Sequence, residues 1–69
     1  MRSYLKEVRT EKGYTQLEVA TKLNISESYY NMIENNERQQ KMSVAFAEKL
    51  ASALGVSPEF VIKNELAQT

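Results

Sequence analysis

The sequence predicts an all-α domain built from five short helices, and three observations carry that reading. Apolar residues recur at three- and four-residue steps, the period of a helix with one buried face. Residues that start or stop helices (Thr15, Ser26, Ser43 and Ser57-Pro58 as starts, Gly13 and Gly55 as stops) stand at the edges of those patterns. An apolar fraction of 42% with only two glycines and one proline suits a compact helical bundle.

The first helix is predicted over Arg2–Lys12. Leu5 and Val8 supply its buried stripe, with Tyr4 at the margin. Arg2, Lys6 and Arg9 follow at spacings of four and three and therefore share a face. The plain reading of Lys6 and Lys12 is a solvated surface whose charge Glu7 and Glu11 cancel locally. Gly13 ends the helix as a left-handed cap. Tyr14 then turns the chain inward, and Thr15 caps the next helix with Glu18 at capping-box spacing.

Gln16–Leu23 is the second helix, with Leu17, Val19, Ala20 and Leu23 as its apolar or small set. Asn24 is, after glycine, the residue best suited to the left-handed exit the chain needs there. Ser26 caps a third helix, Glu27 to Glu34 or Asn35, which commits Tyr30 and Ile33 to the core. Its other face carries Glu27, Ser28, Asn31, Met32 and Asn35. Tyr29 and Tyr30 point about 100° apart, since a helix turns by that much per residue; Tyr30 belongs inside and Tyr29 at the rim. Two short helices on a turn of about 3–4 residues form a helix-turn-helix candidate, whose second helix can enter a DNA major groove.

A polar loop follows from Asn35 to Lys41, with Asn36 placed for a left-handed cap. Ser43 caps the fourth helix, Val44–Leu54, in which Val44, Phe46, Ala47, Leu50, Ala51 and Leu54 are apolar. Ala45, Ala47, Ala51 and Ala53 permit close helix approach. Gly55 stops it, and Ser57-Pro58-Glu59 starts the fifth helix with serine at the cap and proline at the first helical position. Phe60, Val61 and Ile62 are consecutive and cannot all face one way. Leu66 extends the stripe before a tail, Ala67-Gln68-Thr69, expected to fray.

Sixty-nine residues are read as one domain, residues 1–69, near the size at which a single core is only just sufficient. Without cysteine or histidine there is no disulfide framework and no zinc site. No cofactor or metal is expected. The charged start MRSYLKEVRTEKG is unlike a signal peptide, and no apolar run approaches the roughly 20 residues that span a bilayer. The expectation is a soluble, cytoplasmic protein with no membrane partner.

Nine basic residues balance nine acidic ones. A zero net charge counts mildly against nucleic-acid binding, where phosphate contacts dominate affinity, but the field at one face matters more than the sum.

Tyr14-Thr15-Gln16, Val19-Ala20, Leu23, Ile25-Ser26, Ile33-Glu34-Asn35 and Ala53-Leu54-Gly55-Val56-Ser57, taken as an ordered set, resemble the XRE family. This is the lambda Cro/repressor-like helix-turn-helix group, a five-helix fold, and the likeness covers roughly positions 4 to 62. Ala20 takes the small-residue place where the two helices of the motif cross. The resemblance implies that Gln16 anchors the second helix to phosphate, and that Glu27, Ser28 and Met32 read bases. It implies backbone contacts from Tyr29, Asn36 and Arg38, and an ion pair between Arg9 and Glu34 that is structural and does not touch DNA. Ser26, Asn31 and Asn35 complete the candidate DNA-binding set. The chain departs from the family's pattern at Asn24 and Asn36, where glycine is common, and in a loop after Arg38 that is about two residues longer. Glu27 also departs, since Gln or Arg is usual there. Either it accepts a hydrogen bond from the amino group of cytosine, or it faces solvent and complements the helix N-terminus.

The leading functional reading is a sequence-specific transcriptional regulator, a repressor that binds a palindromic operator in double-stranded DNA as a homodimer. Such proteins include phage and mobile-element repressors, restriction-modification controllers and antitoxins. Val61, Ile62 and Leu66 form the candidate dimer surface; the competing reading is that two of them simply close the monomer core. No second domain is expected after Thr69, which leaves regulation to protein abundance or a regulatory protein partner. The alternative is a protein-interaction module on a helix-turn-helix scaffold, which the charge balance, Glu27 and Glu37 favour. An enzyme is disfavoured. With no His, Cys or Asp, no glycine-rich phosphate loop and no cleft around its scattered glutamates, the chain offers no catalytic set and no small-molecule substrate site.

Overall fold

Four of the five helices begin where a hydroxyl takes a backbone amide left free by the first turn. Thr15 Oγ1 accepts from the Glu18 amide at 3.1 Å while Glu18 Oε1 accepts from the Thr15 amide at 2.8 Å, a complete capping box. Ser26, Ser43 and Ser57 accept in the same way from Tyr29, Phe46 and Phe60 at 3.1, 3.1 and 3.2 Å. In the computed structural model, which describes residues 2–67, the elements are α1 (Ser3–Glu11), α2 (Gln16–Leu23), α3 (Glu27–Glu34), α4 (Val44–Leu54) and α5 (Pro58–Ala67). The fold is all-α, as predicted. The fraying expected of Gln68 and Thr69 lies outside the described residues, and Ala67 is the last residue of α5.

The exits are left-handed. Asn24 has φ +59° and Gly55 φ +74°, and each is followed by a residue whose amide reaches back to α2 or α4: Ile25 to the Ala20 carbonyl, Val56 to that of Ala51, both at 3.0 Å. Asparagine tolerates this geometry because its short polar side chain relieves the Cβ penalty.

Packing joins α2 to α3 and α4, α4 to α5, and α1 to α3. Leu5, Val19, Ala20, Tyr30, Ile33, Leu50, Ala51, Leu54 and Val61 are fully buried at the centre. Ala20 allows the close crossing of α2 and α3. Tyr4 lies edge-on against Phe60, ring centroids 6.0 Å apart.

Four sequence expectations are corrected. Leu17 is 55% exposed. The narrow contact of α2 is centred on Val19 and Ala20, and the first turn of a two-turn helix has no second layer to cover it. Val44 and Ala45 are exposed as well, so only Ala47, Ala51 and Ala53 use their small size for close packing. Val61 is fully buried and cannot belong to a dimer surface; the helical turn that puts it inward leaves Phe60 partly exposed and Leu66 69% exposed. Most unlike the expectation is Arg2. It precedes α1 instead of opening it, and it is fully buried while Lys6, expected on the same face, is exposed.

Candidate nucleic-acid interface

Glu34, the last residue of α3, is 1% exposed, and its carboxylate is the fixed point of the polar face formed by α2 and α3. Arg9 donates to it from Nε at 2.6 Å and from a terminal nitrogen at 3.4 Å. A second terminal nitrogen of Arg9 donates to the Tyr14 carbonyl at 3.0 Å. The pair ties α1 to α3 and to the turn before α2. Bonding to Glu34 raises the Arg9 pKa further above its already high value, so the guanidinium stays charged.

A carboxylate can only accept hydrogen bonds, so it dictates which way neighbouring amides point. Gln16 turns its side-chain nitrogen to Glu34 Oε1 at 3.1 Å, which leaves its oxygen to accept from Asn31 Nδ2 at 3.2 Å. Asn31 Oδ1 in turn accepts from Asn35 Nδ2 at 3.1 Å. A buried charge thus orients three amides in series, from the first turn of α2 along α3. Each terminal NH₂ carries two hydrogens and the chain takes one, leaving Gln16, Asn31 and Asn35 a donor apiece. Gln16 also stands where free backbone amides and the positive end of the α2 dipole favour an anion.

The other candidate residues lie around this chain. Glu27 and Ser28 are exposed in the first turn of α3, and Met32 is half-buried one turn on. The Ser26 hydroxyl oxygen is engaged as the cap of α3. Tyr29 is half-buried, and its hydroxyl accepts from Gln39 Nε2 at 3.1 Å, which leaves its own hydrogen to donate. Asn36, at φ +62°, opens the loop after α3, and its carbonyl accepts from Gln40 Nε2 at 3.1 Å. The Arg38 side chain is exposed beside the Glu37 carbonyl. The chain therefore brings Gln16, Asn31 and Asn35 together directly, while Tyr29 joins the loop through Gln39. That role of Gln39 was missed in the sequence, where a glutamine in a polar loop carries no distinguishing signal. Ile62 and Leu66 lie outside the amide series; with Met42, Val44 and Ala47 they border a groove of about 180 Å³ between α4 and α5.

A helix-turn-helix family model matches residues 5–61. The chain belongs to the XRE-type helix-turn-helix family. This is a family of DNA-binding transcriptional regulators. Among curated relatives, the chain is 49% identical over 55 residues to the uncharacterized HTH-type transcriptional regulator YqaF of Bacillus subtilis, a match covering 80% of this chain and 70% of YqaF. It is 38% identical over 65 residues to SinR of Bacillus licheniformis (94% of this chain, 57% of that protein). With SinR of Bacillus subtilis it shares 42% identity over 53 residues, covering 77% and 47%. The chain thus spans about half the length of the SinR proteins it matches. No solved structure matches it significantly. Within the helix-turn-helix family, α2 and α3 are the two helices of the motif, and the Glu34-oriented amides occupy their shared outer face. No described helix is long and apolar enough to cross a membrane.

Proposed function

We propose that this helix-turn-helix protein is a sequence-specific repressor that binds a palindromic operator as a homodimer. In this reading α3 enters the major groove and presents Glu27, Ser28 and Met32 to base edges. Gln16, Tyr29, Asn36 and Arg38 grip the flanking phosphates. The observation that carries the reading is the ordered amide series Gln16–Asn31–Asn35, held from beneath by Glu34. Pre-oriented donors beside a helix N-terminus fix a protein's register on a duplex, and that register lets neighbouring side chains read sequence.

One domain of this size makes few contacts, and two copies on half-sites about 10–10.5 base pairs apart supply the affinity. The apolar strip of exposed Val44 and Leu66 with half-buried Ile62 between them in the groove is the surface we assign to the second copy, replacing the fully buried Val61. A net charge of zero is compatible with this arrangement, because the field at one face matters more than the sum over the surface.

The deciding experiment is selection of bound duplexes from a random DNA pool at near-physiological salt. An enriched palindrome with one-turn half-site spacing is the expected result. Binding without enrichment that fades as salt rises would replace this proposal with that of a protein-interaction module.

A further inference from the structure

Arg2 is fully buried, yet all five of its guanidinium hydrogens are placed. Nε and one terminal nitrogen grip the Glu65 carboxylate of α5 in a two-pronged bond at 2.8 and 3.0 Å. The other terminal nitrogen donates to the carbonyl of Ile33 at 2.6 Å and to that of Arg38 at 2.9 Å. The fifth hydrogen goes to the Gln39 carbonyl. The backbone amide of Arg2 adds a bond to the Glu34 carbonyl at 2.8 Å. One side chain thus gathers the end of α3, the loop after it, and α5.

That loop needs gathering. It has no regular structure, and two of its non-glycine residues, Asn36 and Gln39, hold left-handed backbone at φ +62° and +56°. Such conformations persist where surrounding contacts over-determine them. With the Arg38 and Gln39 carbonyls fixed on the guanidinium, the Arg38 side chain is exposed and Gln39 Nε2 reaches the Tyr29 hydroxyl.

We infer that Arg2 is a positioning residue for DNA binding: with no exposed surface of its own, it sets the loop that carries the phosphate contacts. This inference rests on the DNA-binding reading above. The requirement is for a planar fork with five donors, so lysine, a point charge with three, does not substitute.

The test compares the 69-residue chain with its Arg2→Lys, Arg2→Met and Glu65→Gln variants, using the duplex enriched by the wild type. Both Arg2 variants should lose about tenfold or more in affinity, equally for cognate and scrambled duplexes, with the salt slope flattened by up to about one as the Arg38 contact is lost. Arg38→Ala should cost clearly less in the Arg2→Lys background than alone, because the loop is already loose. Glu65→Gln should give a smaller loss of the same kind. Amide exchange at Glu37–Lys41 should accelerate by about tenfold in the Arg2 variants while Leu50 and Leu54 are unaffected. A salt slope that falls further when Arg2→Met is added to Arg38→Ala than with Arg38→Ala alone would mean that Arg2 itself meets phosphate, and strictly additive losses with Arg38→Ala would mean a general loss of stability. Either would overturn the inference, as would unchanged loop exchange.

If the variants do not fold, the wild type still decides: a resolved, slowly exchanging Arg2 Nε proton is required, and rapid exchange with water refutes the clamp. If the wild type enriches no duplex, the DNA reading falls, and the exchange measurements still judge whether Arg2 holds the loop.

Discussion

The side-chain nitrogen of Gln16 lies 3.1 Å from Glu34 Oε1, although 18 residues separate them. Glu34 is buried and held by Arg9, so this contact gives an otherwise free surface amide one preferred orientation. The same carboxylate thereby serves the ion pair that joins α1 to α3 and the outer face of the motif.

Glu34→Gln should consequently act on stability and recognition together. Removing one partner of a buried pair strands the other, and the loss should be about 3–5 kcal/mol in denaturant unfolding. The variant should also bind DNA more weakly at temperatures where it stays folded. A loss below about 1 kcal/mol would show that the pair is effectively solvent-exposed.

In the proposed binding mode Ser28 reads bases and Arg38 grips phosphate, and substituting each separates the two roles. Ser28→Ala should change preference at particular base pairs with little change in salt dependence. Arg38→Ala should weaken all duplexes alike and flatten the salt slope by about one. An unaltered preferred sequence in Ser28→Ala would place the wrong residues of α3 against the bases.

Glu27 is exposed in the first turn of α3, where it can meet a cytosine amino group or simply complement the helix dipole. Glu27→Gln should move the preference at one half-site position from C·G towards A·T, since glutamine pairs bidentately with adenine. Stronger binding with the same preference would assign Glu27 to the dipole alone.

Val61 and Leu66 stand five residues apart on α5 and predict opposite phenotypes. Val61→Ala should cost about 2 kcal/mol by opening a cavity in the core. Leu66→Glu should leave monomer stability nearly untouched and shift the protein to monomers in sedimentation. A dimer that survives Leu66→Glu must use another surface.

Alkaline pH should unfold the protein through Tyr4 and Tyr30. Burial, reinforced by Glu65 for Tyr4 and by Glu34 for Tyr30, pushes both hydroxyls well above the ordinary value of 10.0. Below pH 10 both folded and unfolded chains keep them protonated, and stability is unaffected. Above it the unfolded chain releases protons that the folded one retains, so stability falls as pH rises. Tyrosinate absorbance should stop short of the four-tyrosine amplitude until the far-UV circular dichroism collapses; full titration in the folded state would contradict their burial.

Local chemistry made most of the architecture readable. The caps at Thr15, Ser26, Ser43 and Ser57 and the exits at Gly13, Asn24 and Gly55 act within one turn of helix, so a few adjacent residues specify them. Tyr30 inside and Tyr29 at the rim follow from the 100° step between neighbours. Glu27, Ser28 and Asn31 fall on the outer face of α3 for the same reason.

What the sequence alone determined is therefore the set of helices, their ends and the residues along each face. The tertiary structure decided which apolar faces were covered, leaving Leu17 and Leu66 out and taking Val61 in. The Arg9–Glu34 pair was already implied by the family resemblance and is present, but the structure decided the other polar partners: Gln16 on Glu34, and carbonyls and a carboxylate 31 to 63 residues away on Arg2. Helical periodicity reports only a residue's direction within its own element. Whether that direction meets water, a hydrocarbon wall or a ring of acceptors depends on how separate elements pack, and no local pattern encodes the contacts of Arg2.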